Sequence, residues 1–345
     1  MKILHPLSLA LCLIATSTAP AAQCIRFTDE HVDLLSLQFA APSQTLSLLA
    51  SNDDLGTTVN PEDSIVVCPE DLRFTLPAGT PLGAEGDPLW ILPQSPYDSA
   101  PYLGVSTETI PAGTFSNPLA IQLHSIEGPG DFILWQSTSF GSFDIRMDTR
   151  DGLTDTDRLT PSAGAHEHYN WGFTTNGIYR LYFQGTARPL NQSTNLVSAI
   201  VPYTFHILPL SPFETWTVTH WPCETNPDTI APGADPDQDG APNALEYAVG
   251  TDPTSPNPGP WLTLKPHPST SPSSCLLTYQ QSKSATDIIL TVHTTDDPAD
   301  GSWQPLGSEQ EQIDLGNVYQ INLLHTLNPS GPSCSYYRLQ ATFAP

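Results

Sequence analysis

The sequence predicts a mostly β protein: a β-sandwich N-terminal domain, a connector of helix, loop and helix, and a small Ig-like β-sandwich C-terminal module. Three observations predict it. Short apolar runs recur between Pro, Gly, Asn and Asp, as in Ser64-Ile65-Val66-Val67-Cys68 and Phe132-Ile133-Leu134-Trp135. No long 3.6-residue periodicity competes with them in the first 210 residues. The 36 prolines, about double the usual share of about 5%, favour strand edges and turns over helices.

Residues 1–22 read as a targeting segment. Lys2 supplies the charge, the apolar run from Leu7 to Ala15 is too short to span a bilayer, and Ala19-Pro20-Ala21 is a small-residue cleavage site. No Leu-Ala-Gly precedes Cys24, so lipidation there is not expected. The mature chain is thus expected to be secreted or held at the cell surface, with no transmembrane segment and in a compartment that permits disulfides. It retains Cys24, Cys68, Cys223, Cys275 and Cys334. Pairing within each β unit predicts Cys275–Cys334 and Cys24–Cys68, with Cys223 left over. The chain carries 36 acidic against 11 basic residues, a net charge of -25. That field repels phosphates and excludes nucleic acid and anionic membranes as partners, but it suits divalent cations.

Residues 23–209 form the first β unit. Its predicted strands are 46–50, 64–68, 89–92, 119–123 and 132–135, closed by 179–183 and 201–207. Tyr179 stands where a tyrosine corner would be. Within this unit Gly164-Ala165-His166-Glu167-His168-Tyr169-Asn170-Trp171-Gly172-Phe173 is the stretch richest in chemistry. On a strand His166 and His168 share one face, Glu167 takes the other, and Trp171 and Phe173 continue the alternation as apolar packing. Two imidazoles on one face read either as a metal site or as a solvated strand edge. His124 and His206, on apolar strands, read as core or edge histidines.

Several short motifs occur in order: His31-Val32-Asp33-Leu34, Trp90-Ile91-Leu92-Pro93-Gln94, Gly128-Pro129-Gly130, Trp135-Gln136, Phe140-Gly141, the 166–174 stretch and Gly177-Ile178-Tyr179. In this order they resemble the choice-of-anchor M domain of actinobacterial surface-anchored proteins, over roughly residues 24–208. The resemblance implies an exported surface protein and, through association with metal-type transporters, a role in metal capture. It also adds His31 and Asp33 to His166 and His168. Three imidazoles with a carboxylate are a donor set for Zn2+, or for Mn2+ given Asp33. The chain departs from the family pattern in carrying one copy and no sorting tail over residues 341–345.

Residues 210–258 form the connector. Phe213, Trp216 and His220 lie at helical spacing. The run from Asp235 to Glu246 then matches a calcium loop: Asp235, Asp237 and Asp239 at positions 1, 3 and 5, Gly240 at 6, Ala241 offering its carbonyl at 7, Asn243 at 9 and Glu246 at 12. Ca2+ requires six to eight oxygens, which this set can supply. Pro242 removes an N–H that paired loops use, so a solitary site similar to dockerin or thrombospondin type 3 loops is expected. An exiting helix over 244–249 would be capped by Gly250. Residues 259–345 form the second β unit, with strands expected at 261–264, 275–279, 288–293, 319–324 and 336–340.

No Gly-x-Ser-x-Gly elbow or His-Glu-x-x-His pair is present, and the His-x-His spacing is wrong for the helical zinc-protease pair. The reading is therefore a non-enzymatic exported metal-binding protein, with metal ions and cell-surface or matrix components as partners. The alternatives are an extracellular carbohydrate-binding or adhesion module and a metal-dependent hydrolase.

Overall fold

The structure is a computed structural model. It describes residues 24–344, apart from 53, 139–140, 191, 268–273, 308 and 328–334. Residues 1–22, expected to be a targeting segment, Phe140 and Cys334 therefore lie outside the described residues. The protein is mostly β, with 49% of residues in strands and 10% in helices. No helix among the described residues is long and apolar enough to cross a membrane.

Three sheets build the N-terminal unit. One has six strands, in the order Ile25–Phe27, Ser64–Cys68, Leu196–Ile207, Gly177–Pro189, Phe115–Glu127 and Arg158–Leu159. The second runs Phe143–Asp148, Phe132–Ser137, Asn170–Phe173, Pro88–Leu92 and Arg73–Thr75. The third runs His166–His168, Tyr102–Ser106, His31–Ala40, Thr45–Asn52 and Thr57–Val59. All seven expected strands of this unit form.

One core joins the three sheets, with Leu35, Leu37, Phe132, Trp171, Phe173, Phe183 and Phe205 all completely buried. The second sheet is apolar on its other face too, where Leu89, Ile133 and Trp135 pack on Leu76 and Leu82. Tyr179 is fully buried, and its hydroxyl donates to the Thr175 carbonyl at 2.9 Å, the bond a tyrosine corner requires. Parallel pairs occur beside the antiparallel ones: Ile25–Phe27 with Ser64–Cys68, Ser64–Cys68 with Leu196–Ile207, and His31–Ala40 with Tyr102–Ser106.

Two expectations are corrected here. The 166–173 stretch is not one continuous strand. His166–His168 pairs with Tyr102–Ser106, whereas Asn170–Phe173 pairs with Phe132–Ser137 in a different sheet. The chain changes sheets at the buried Tyr169, so Trp171 and Phe173 enter the core while the polar histidines stay on an edge strand. The disulfide also differs: Cys24 bonds to Cys223, and Cys68 and Cys275 are free and buried. The parallel register explains why Cys24 does not reach Cys68. Ile25 lies opposite Ser64, which leaves Cys68 about 15 Å farther along the strand, beyond the Cα separation a bridge spans. Cys275 keeps its thiol 3.7 Å from the Tyr337 hydroxyl.

The connector helices form as expected. Ser211 and Glu214 make a reciprocal capping box at the start of Pro212–His220. Asn243–Val249 ends on Gly250 in the left-handed conformation, φ 83°. The connector is more than a linker, because Phe213, Tyr247, Ala248 and Val249 belong to the core of the second β unit with Leu277, Ile288 and Leu323. That unit has two antiparallel sheets. One holds Leu262–His267, Ser274–Ser282, Val318–Thr326 and Glu309–Asp314; the other holds Gln304–Pro305, Ile288–Thr295 and Tyr336–Phe343. All five expected strands are among them.

Candidate metal centres

Register places the first site. His31 lies opposite Tyr102 and Asp33 opposite Gly104 across the parallel pair. On the other side of Tyr102–Ser106, His168 lies opposite Gly104 and His166 opposite Ser106. By the two-residue period these side chains share one sheet face. The opposite face of the same strands buries Val32, Leu103 and Val105 in the core.

The imidazoles converge. Ring centroids are 5.4 Å apart for His31 and His166, 5.2 Å for His31 and His168, and 4.9 Å for His166 and His168. Each ring offers a nitrogen within 4.8 Å of the others, the spacing of a set that could hold one metal ion. Asp33, Glu108 and His166 form a second such group.

Each ring is held by its surroundings. Nδ1–H of His168 donates to the Leu103 carbonyl at 2.9 Å, which leaves Nε2 as the lone-pair nitrogen. The same ring stacks on Tyr102 with centroids 3.7 Å apart and planes 6° apart. His166 lies between two carboxylates: Nε2 is 2.9 Å from Asp33 Oδ1, and Nδ1 is 3.5 Å from Glu108 Oε2. The Asp33 side chain is only 4% exposed. The His31 amide donates to Asp54 Oδ2 at 3.0 Å and pins the start of its strand. Before His166 the loop is laced to Thr107, whose amide donates to the Ala165 carbonyl and whose hydroxyl donates to the Ser162 carbonyl.

Gly104 is the floor of the cluster. A Cβ there would lie 2.1 Å from Asp33 Oδ1 and 3.1 Å from His166 Nε2. Only glycine lets the buried carboxylate and the imidazole meet above the middle strand.

All four residues expected at this site, His31, Asp33, His166 and His168, are brought together. Glu167 faces away, as expected, and accepts from the Tyr169 hydroxyl. Glu108, Tyr102 and Gly104 were not anticipated. No motif marks them, since their roles come from a parallel pairing between segments about 70 residues apart in sequence.

The second site is the loop 235–246. Asp235, Asp237 and Asp239 each offer an oxygen within 4.8 Å of the others. Their carboxylates also order the turn: Asp235 accepts from the amides of Asp239 and Gly240, and Asp239 Oδ1 accepts from Ala241 N at 2.8 Å. Gln238 and Gly240 have positive φ, 60° and 94°, which folds the loop tightly. Asn243 and Glu246 are completely buried beneath it. Asn243 uses its Nδ2 on the Thr229 and Ala231 carbonyls, while its Oδ1 and Glu246 Oε2 have no hydrogen-bond partner among the described residues. Burial pushes the Glu246 carboxyl up to about 7, reinforced by Asp237, Asp239 and Asp235 and opposed by a hydrogen bond from Thr251. Burial raises Asp237 as well, with Asp239 and Asp235 adding to it. Buried carboxylate oxygens without donors, crowded by like charge, are what a cation would relieve.

His206 is buried and lies apart from both sites. Burial lowers its imidazole from the ordinary 6.5 to about 4, and Arg26 and Arg180 add to this. In comparisons with known proteins, no family model matches the chain and no curated protein is similar to it.

Proposed function

We propose that this is an exported, non-catalytic metal-binding protein. It takes a transition metal, zinc before manganese, through His31, His166 and His168, and calcium through the 235–246 loop. The observation that carries this reading is the convergence of three imidazoles from two distant segments on one sheet face. An imidazole-rich set suits zinc. Asp33 acts as the partner that orients His166, a role ligating histidines commonly need filled. Glu108, at the open side of the same ring, adds negative charge. The loop takes calcium because all its donors are oxygens. Export rests on residues 1–22 and the acidic composition, and a role in metal capture rests on the resemblance to choice-of-anchor M domains.

The test is zinc and manganese titration of metal-stripped protein by calorimetry, with melting followed in parallel, for wild type and a His166→Ala/His168→Ala double variant. Wild type should take up one zinc per chain, with a rise in melting temperature that the double variant lacks. Absence of uptake by wild type, or undiminished uptake by the variant, returns these histidines to a solvated strand edge. Mass spectrometry of secreted protein should find its N-terminus at Ala22 or Gln23, and an intact Met1 in that material would refute the processing.

A further inference from the structure

The second β unit carries a concave site distinct from both metal centres. A pocket of about 270 Å³ opens between the end of the connector and the strands Leu262–His267, Ser274–Ser282 and Val318–Thr326. This is close to the lower end of the range of roughly 300–1,000 Å³ common for small-molecule sites. Its lining combines a half-buried indole, Trp261, and the buried Tyr279 ring with neutral amides and hydroxyls: Asn257, Gln280, Gln320, Thr278 and Thr251. No Asp, Glu, Lys or Arg lines it among the described residues, although the chain as a whole carries a net charge of -25. The indole Nε1 is buried and makes no hydrogen bond to any described residue.

We propose that this pocket binds a neutral saccharide, with Trp261 as the platform for a sugar ring and the amides of Asn257, Gln280 and Gln320 as partners for its hydroxyls. The charge-free lining selects against ionic ligands. The density of neutral donors and acceptors beside the Trp261 and Tyr279 rings suits a polyol better than an apolar chain, which would strand those groups unpaired. A charged side chain or terminus of a peptide would find no counter-charge in this lining.

Two of the lining residues are tied to the acidic loop. The Asn257 backbone N–H donates to Asp239 Oδ2 at 2.7 Å, and the Thr251 hydroxyl donates to Glu246 Oε1 at 3.1 Å. The loop therefore sets one rim of the pocket. Cation binding at the loop tightens saccharide binding, a coupling that rests on the calcium reading above.

The experiment uses the full mature chain in calcium. It is screened against neutral gluco-, manno-, xylo- and N-acetylglucosamine oligomers, and the best ligand is titrated by calorimetry. Wild type should bind at least one of them. Trp261→Ala should weaken it by about tenfold or more. Gln280→Ala, an exposed change that leaves the core intact, should weaken it by roughly three- to tenfold. Failure of wild type to bind any neutral oligomer overturns the proposal, as does binding that both variants retain in full. Asp239→Ala should weaken the same titration several-fold. Full-strength binding in that variant overturns the coupling alone, while the calcium reading is judged separately by calcium-dependent protection of the connector from proteolysis.

Discussion

Replacing Gly104 by alanine tests the architecture of the histidine cluster without removing any donor. Gly104 lies mid-strand, and its φ is outside the left-handed range that favours glycine. On backbone grounds alone alanine should stabilise the strand by about 0.5–1 kcal/mol. The added Cβ, however, would sit 2.1 Å from Asp33 Oδ1 and 3.1 Å from His166 Nε2. Asp33 is 3% exposed and has little room to retreat, so the clash should cost about 1–3 kcal/mol. It should also break the 2.9 Å contact that orients His166. Loss of such an orienting partner typically lowers metal affinity by about 10–100-fold. Gly104→Ala should therefore be less stable than wild type by up to about 2.5 kcal/mol in urea and bind zinc at least tenfold more weakly by calorimetry, with His31, His166 and His168 all present. A variant as stable as wild type that binds zinc equally well would refute both the steric argument and Asp33's orienting role.

Three further outcomes are expected. Cys223→Ser should cost about 2–5 kcal/mol, read as a lower denaturation midpoint of the N-terminal unit, because the Cys24–Cys223 bridge closes a loop of 199 residues. An unchanged midpoint would show the bridge to be absent or without effect. His206 should impose a pH dependence of definite sign. Its folded value, about 4, lies below the ordinary 6.5, so the unfolded chain takes up the proton first. Stability should fall as pH drops from 6.5 towards 4, by about 3 kcal/mol in all, and His206→Leu should flatten that part of the profile. An identical slope in the variant would refute this. Calcium at 10 mM should stabilise the connector and second β unit by about 2.7 kcal/mol if Kd is about 10⁻⁴ M. Asp239→Ala should abolish that gain and the accompanying protease protection.

Local pattern carried most of the strand positions. The runs around Ile65, Ile133, Leu181, Phe205, Leu277 and Leu323 are apolar, bounded by turn residues, and form strands as expected. The missed strands include His31–Ala40, buried along most of its length with no two-residue alternation, and Tyr102–Ser106, whose glycine weakens the signal. The acidic donor loop was legible because its donors lie within twelve residues and their spacing is itself the motif. The same holds for the helix caps, where Ser211, Glu214 and Gly250 act on neighbours three or four residues away.

The histidine centre was only half written in the chain. His166 and His168 announce themselves by their spacing, and His31 and Asp33 entered through ordered motifs. What joins the pairs is the middle strand Tyr102–Ser106, parallel to one partner and antiparallel to the other. Parallel pairing has no hairpin turn to set its register, so that register follows from which faces the whole sheet buries. The same non-local choice put Gly104 under Asp33, brought Glu108 to His166, and carried Trp171 into a different sheet from His168. It also separated Cys24 from Cys68 and gave Cys24 its partner in the connector. Composition and short-range spacing thus determined a β-rich, acidic chain with two sets of metal-type donors. Which distant residues meet was decided by the tertiary structure, because burial of a shared core selects among strand pairings that local pattern leaves equal.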